Sequence, residues 1–163
     1  MDVPVIERAR IQAEVLVPLV KTLQAELGQD HANALVRRAL GRLYRELGEK
    51  WWRAQEAPDL GRNVASLFGK FASGSALDYE VVKQTPDAFE FDVTGCRYAR
   101  FYKELGEPEL GFLLVCSADF PMAEGFGADV QLTRTQTIMQ GAARCDFRYA
   151  LKKSKSGTDA EPT

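Results

Sequence analysis

The chain has 163 residues, 45% hydrophobic and 27% charged, with a net charge of −2. That length and balance read as one globular domain able to bury its own core, and they exclude a disordered chain. The near-neutral charge excludes the basic footprint of a nucleic-acid binder, and no apolar run approaches the roughly 18 to 20 residues that cross a bilayer. The opening MDVPVIERAR carries acids early and does not read as an export signal. Three cysteines, Cys96, Cys116 and Cys145, form no paired spacing, so they are expected as reduced thiols in a cytoplasm. His31 is the sole histidine, which argues against a Ser–His–Asp or Cys–His machine.

The first half reads as helix. From Val5 to Leu27 the apolar positions Ile6, Ala9, Ala13, Leu16, Val17, Val20, Leu23 and Leu27 keep three-and-four spacing, and Gly28 is a natural stop. Pro18 predicts a kink or break near Val17. Asp30 is placed to cap a second helix through Leu47, with Leu35, Ala39, Leu40, Leu43 and Leu47 on one side, and Gly48 is expected to interrupt it. Trp51 and Trp52 follow, one expected to pack and the other to cap the bundle. Leu60, Val64, Leu67, Phe68 and Phe71 mark a third helix, which ends at the SGS of 73–75.

The second half changes period. LDYEVV and FEFDVTG flank the turn-rich connector KQTPDA as an antiparallel hairpin, with Phe89, Phe91 and Val93 inward. RYARFYKELG is a helix closed by Gly106, and the segment from Glu107 reads as helical through about Asp119, with Pro121 able to begin another turn. AEGFGAD reads as a flexible loop. DVQLTRTQTIM, a QGAA turn and RCDFRYAL make a second hairpin, and the tail 152–163 is too polar to order itself. The fold expected is therefore α+β. A helical half, about 5–72, joins an antiparallel sheet half of two hairpins, about 76–151, in a single domain spanning 1–151.

Strand alternation puts Val130, Leu132, Arg134, Gln136 and Ile138 on one face, which must look inward because three of its members are apolar. An inward Arg134 cannot shed its charge and calls for an anion, unless an edge position lets it snorkel to water. Thr133, Thr135 and Thr137 share the other face, expected to be solvated. On the partner strand Cys145, Phe147 and Tyr149 face inward, while Asp146 and Arg148 face away. Cys116 and Asp119, three apart, share a helix face, and Asp119 is the partner expected for Arg134. Packing is the default for any one of the thiols, and Cys96 falls at a strand-to-helix turn. A zinc or iron–sulfur site on Cys96, Cys116 and Cys145 is the minority alternative, since no C-x-x-C spacing is present, and no cofactor is otherwise called for.

The ordered set C-x19-C-x2-D from Cys96 to Asp119, R-x2-T at Arg134 and Thr137, Gly141, and CDFRY from Cys145 resembles the L-2-amino-thiazoline-4-carboxylic acid hydrolase family. YKELGEPEL, AEGFG and the helical PLV, ELG and ALVRRAL elements extend that resemblance over about residues 5–151. It implies a hydrolase that opens a small sulfur- and nitrogen-containing ring with water, the substrate being a thiazoline, hydantoin, thiohydantoin or cyclic urea. Cys116 would be the nucleophile, Asp119 the acid/base, and Arg134 the anchor for a substrate carboxylate. Thr137 would be a further substrate contact, with Cys96 and Cys145 as supporting or alternative thiols. A non-enzymatic sensor using the same pocket is the competing reading. The partner expected is a small molecule rather than nucleic acid or membrane. Exposed strand edges and the tryptophan pair leave a homo-oligomer open.

Overall fold

The computed structural model describes residues 3–153. Three helices come first: α1 (Val5–Leu27), α2 (Gln29–Arg53) and α3 (Leu60–Ala72). The hairpin of β1 (Leu77–Thr85) and β2 (Ala88–Cys96) follows, then the short helices α4 (Arg97–Glu104), α5 (Pro108–Leu114) and α6 (Asp119–Gly125). Strands β3 (Val130–Thr133) and β4 (Cys145–Leu151) end the described chain. The tail expected to be disordered lies outside the described residues except for Lys152 and Lys153. Among the described residues, no helix is long and apolar enough to cross a membrane.

One antiparallel sheet, ordered β1-β2-β4-β3, joins the two hairpins through β2 and β4, with Phe91 opposite Phe147 and Val93 opposite Cys145. Phe89, Phe91 and Val93 are buried as their alternation requires. Hairpin pairing extends further than the sequence implied: Lys83, Gln84 and Thr85 belong to β1, and the turn is the two residues Pro86 and Asp87. A sheet cluster built on Phe89, Phe91, Leu60 and Phe126 and a helical cluster built on Ile6, Val20, Tyr102 and Leu110 form two packed bodies.

Four departures in the helical elements have physical causes. Helix α1 runs unbroken through Pro18, which faces solvent, where water can serve the carbonyl that the proline leaves unbonded. Helix α2 is capped by Gly28 rather than Asp30 and continues through Gly48. That glycine is a contact point, because a Cβ there would stand 2.3 Å from the Met122 carbonyl oxygen of α6. Gly125 mirrors it, its Cβ position lying 2.3 Å from the Arg45 carbonyl oxygen. Of the expected loop AEGFGAD, only residues 126–129 are non-helical: Ala123 and Gly125 are buried where α6 crosses α2, and both tryptophans pack on Phe126, Trp52 stacked at 5.2 Å. We expect Gly48→Ala to cost about 1–3 kcal/mol through overpacking of backbone that cannot retreat, read as a lowered melting temperature.

The third difference lies after Leu114. Val115 leaves helical geometry (φ −116°, ψ −63°), a 3₁₀ turn covers Cys116–Ala118, and α6 begins at Asp119. Cys116 and Asp119 are therefore not on one continuous helix. They still share a side, since residues three apart eclipse in a 3₁₀ turn. The fourth concerns the face of α2. Its buried side runs through Ala32 and Gly48, while Leu43 and Leu47 are 46% and 44% exposed.

Candidate active site

The expected long strand DVQLTRTQTIM ends at Thr133. Beyond it the chain leaves the sheet and is fastened by a side chain. Asp146 of β4 accepts from the Thr135 N–H (2.9 Å), the Gln136 N–H (3.0 Å) and the Thr135 hydroxyl (2.5 Å). Burial pushes the Asp146 carboxyl up, and these hydrogen bonds pull it down by more, so its pKa ends below the ordinary value. Removing the carboxylate frees two backbone donors beside Arg134. We expect Asp146→Ala to lower turnover about tenfold and to speed hydrogen exchange at the Thr135 and Gln136 amides.

Arg134 thus points inward for a reason other than alternation. Its side chain is 3% exposed, and its Nη1 donates to the Asp119 carboxylate and to the Cys116 carbonyl oxygen at 3.0 Å. Phe112, Phe120 and Phe147 place their rings 5.8, 5.0 and 5.6 Å from the guanidinium carbon, a cage suited to a weakly hydrated cation. Both protein hydrogen bonds use Nη1, so Nε and Nη2 have no partner among the described residues. No fully buried side-chain nitrogen or oxygen among those residues lacks a partner, so the spare donors reach open space.

That space is a cavity of about 350 Å³ between the two packed bodies. Cys96, Cys116, Cys145, Asp119, Arg134 and Thr137 all line it. The structure therefore brings together every candidate residue read from the sequence, whereas His31 is exposed and lies outside the cavity lining. The three thiols differ in surroundings. Cys96 caps α4, its Sγ accepting from the Ala99 N–H at 3.4 Å, and Cys145 Sγ accepts from the Ile138 N–H at 3.2 Å. No hydrogen bond engages Cys116 Sγ among the described residues, and the largest influences on it are burial and the Asp119 charge.

Burial pushes all three thiols up: Cys116 well above its ordinary value, Cys145 to about 11, and Cys96 upward despite the backbone donors at its sulfur. Burial also raises Asp119, to about 6, against the pull of Arg134. A third of that side chain is open, as befits a group lining a cavity while protein surrounds it. At neutral pH the cavity therefore holds protonated thiols beside a carboxylate poised near its own titration point.

Thr137 is 2% exposed, and its hydroxyl donates to Gln140 Oε1 (3.0 Å) while accepting from the Gln140 N–H (3.2 Å). It caps the 3₁₀ turn Ile138–Gln140 and so leaves the expected solvated row, whereas Thr133 and Thr135 are exposed as expected. Among the described residues no group of three or more His, Cys, Asp and Glu side chains is placed to hold a metal ion. Tyr44 of α2, which sequence reasoning passed over, also lines the cavity, and burial and the Asp119 charge raise its phenol. Its signal was a polar tip at the position joining Leu40 and Leu47 along the apolar side of α2.

An antiparallel α+β scaffold thus encloses a cavity lined by thiols, a carboxyl and a guanidinium. The model of the L-2-amino-thiazoline-4-carboxylic acid hydrolase family matches residues 8–149, and the chain belongs to that family. No curated protein matches the chain.

Proposed function

We propose that the protein is a cysteine-dependent hydrolase that opens a small ring at the carbon held between sulfur and nitrogen, as in a 2-amino-thiazoline-4-carboxylate. The observation that supports this most is the meeting of Cys116, Asp119 and Arg134 in one cavity, with Arg134 tying the Cys116 backbone to the Asp119 carboxylate. The spare Nε and Nη2 donors offer a fork for a substrate carboxylate. Burial disfavours a free thiolate, so Asp119 takes the Cys116 proton as Sγ bonds to the ring carbon. The tetrahedral adduct then collapses. The ring C–S bond breaks, and Asp119 returns the proton to the departing sulfur. Water adds to the same carbon of the resulting enzyme-bound isothiourea, with Asp119 again accepting a proton. Breaking the Cys116 Sγ–C bond restores the thiol and leaves a urea, one water heavier than the substrate.

Incubating the protein with thiazoline, hydantoin and thiohydantoin carboxylates and weighing the products by mass spectrometry tests this reading. A product heavier by one water is expected from at least one ring. Ligand that binds and returns unaltered would replace the hydrolase with a sensor.

A further inference from the structure

The cavity is larger and more apolar than a small zwitterionic ring needs. Pockets of roughly 300 to 1,000 Å³ take drug-sized ligands, and this one measures about 350 Å³. Its charged and amide groups fall into two sets, Arg8 and Gln12 at the surface and a second set within. Arg134, Thr137 and Cys145 are buried, and the carboxyl of Asp119 joins them. Exposure of the lining residues shows where the cavity reaches the surface. Only Arg8, Gln12, Leu43 and Leu47 are exposed, and all four lie on α1 and α2. Most of the remaining wall is apolar, with side chains such as Leu16, Leu67, Phe68, Phe71 and Met122. Leu43 and Leu47 stay open to solvent on the helix face that sequence patterning marks as apolar, and the cavity gives them a use. Water confined against such a wall has few polar partners, and an apolar group displaces it favourably.

We infer that the ligand is an amphipathic organic acid: a polar head at Arg134 and Asp119, and an apolar tail of several carbons running past Leu67 and Phe71 to the rim at Leu43 and Leu47. The head group rests on the proposed hydrolase reading; the tail rests on the wall alone. For this reading an N- or ring-substituted thiazoline carboxylate with an alkyl or aryl arm is a better substrate than the bare ring.

The test is calorimetric binding of straight-chain carboxylates, butanoate to decanoate, to the full chain, alongside the ring-opening assay. Affinity should rise by about fourfold for each methylene that enters the cavity, then level off. Leu47→Glu, at an exposed position, should weaken decanoate binding tenfold or more while leaving the melting temperature near that of the wild type. Affinity independent of chain length overturns the inference even if the bare ring is hydrolysed. Chain-length dependence that L47E and Leu43→Glu both leave intact also overturns it, since the tail then binds elsewhere. A graded, L47E-sensitive series with no hydrolysis of any ring upholds the tail and removes the hydrolase.

Discussion

Cys116→Ala is expected to abolish the proposed ring opening, with kcat/KM falling at least about a thousandfold, while the protein keeps its fold. The side chain lost is small and makes no hydrogen bond among the described residues, so a collapse in melting temperature would show the thiol to be structural instead. Asp119→Asn is expected to cost about a hundredfold to ten-thousandfold, because an amide cannot accept the thiol proton. The pH profile carries the same argument. Wild-type kcat/KM should rise with pH and turn over near 6, the value to which burial lifts the Asp119 carboxyl. Stability runs the other way. An acid whose folded pKa exceeds its ordinary 3.8 favours the folded state fully below about 4 and loses that contribution as pH rises through about 6. Activity thus appears over the window in which stability declines, and D119N should flatten both curves. A profile whose midpoint stays near 6 in D119N would assign the base to another residue.

Arg134→Met removes a cation that serves both substrate and fold. Without it the Asp119 carboxylate stays enclosed and unpaired, at a cost of about 3 kcal/mol at pH 8, toward the low end for a broken buried pair because the carboxyl faces the cavity. For a chain of this size that corresponds to a fall of roughly 6 to 12 °C in melting temperature. The penalty should shrink at pH 5, where the carboxyl is neutral. Activity at saturating pH should show KM for a carboxylate-bearing substrate raised about a hundredfold, and the acid limb displaced above 6, since the group that lowers Asp119 is gone. The double variant Asp119→Leu/R134M should regain most of the stability and none of the activity. An R134M protein as stable as the wild type at pH 8 would mean that cavity water already screens the pair.

The order of elements and the inward set of the sheet were legible because local periodicity carries them: Phe89, Phe91 and Val93 alternate, and Cys145 and Tyr149 follow suit. Alternation directs Arg134 inward only if the strand runs through Met139. That strand stops at Thr133, and the inward direction survives because Asp146 holds Thr135 and Gln136 in place of sheet pairing. Gly48 reads as a stop on local propensity, yet its role is set by Met122, more than seventy residues away in the chain. Tyr44 was missed for the same reason, as only the approach of Asp119 gives its phenol a place in the site.

By itself the sequence determined the residue types available for chemistry: three thiols, one carboxyl three positions from one of them, and an arginine in an apolar run. It also determined the α+β class, since helix and strand periods are properties of neighbours along the chain. Tertiary structure alone decided which thiol is left without a hydrogen bond, which donors of Arg134 stay open, and how far an apolar wall extends beyond them. Those depend on burial and on contacts between segments distant in sequence, and desolvation, the largest influence on Cys116 and Asp119, exists only once the chain has closed around them.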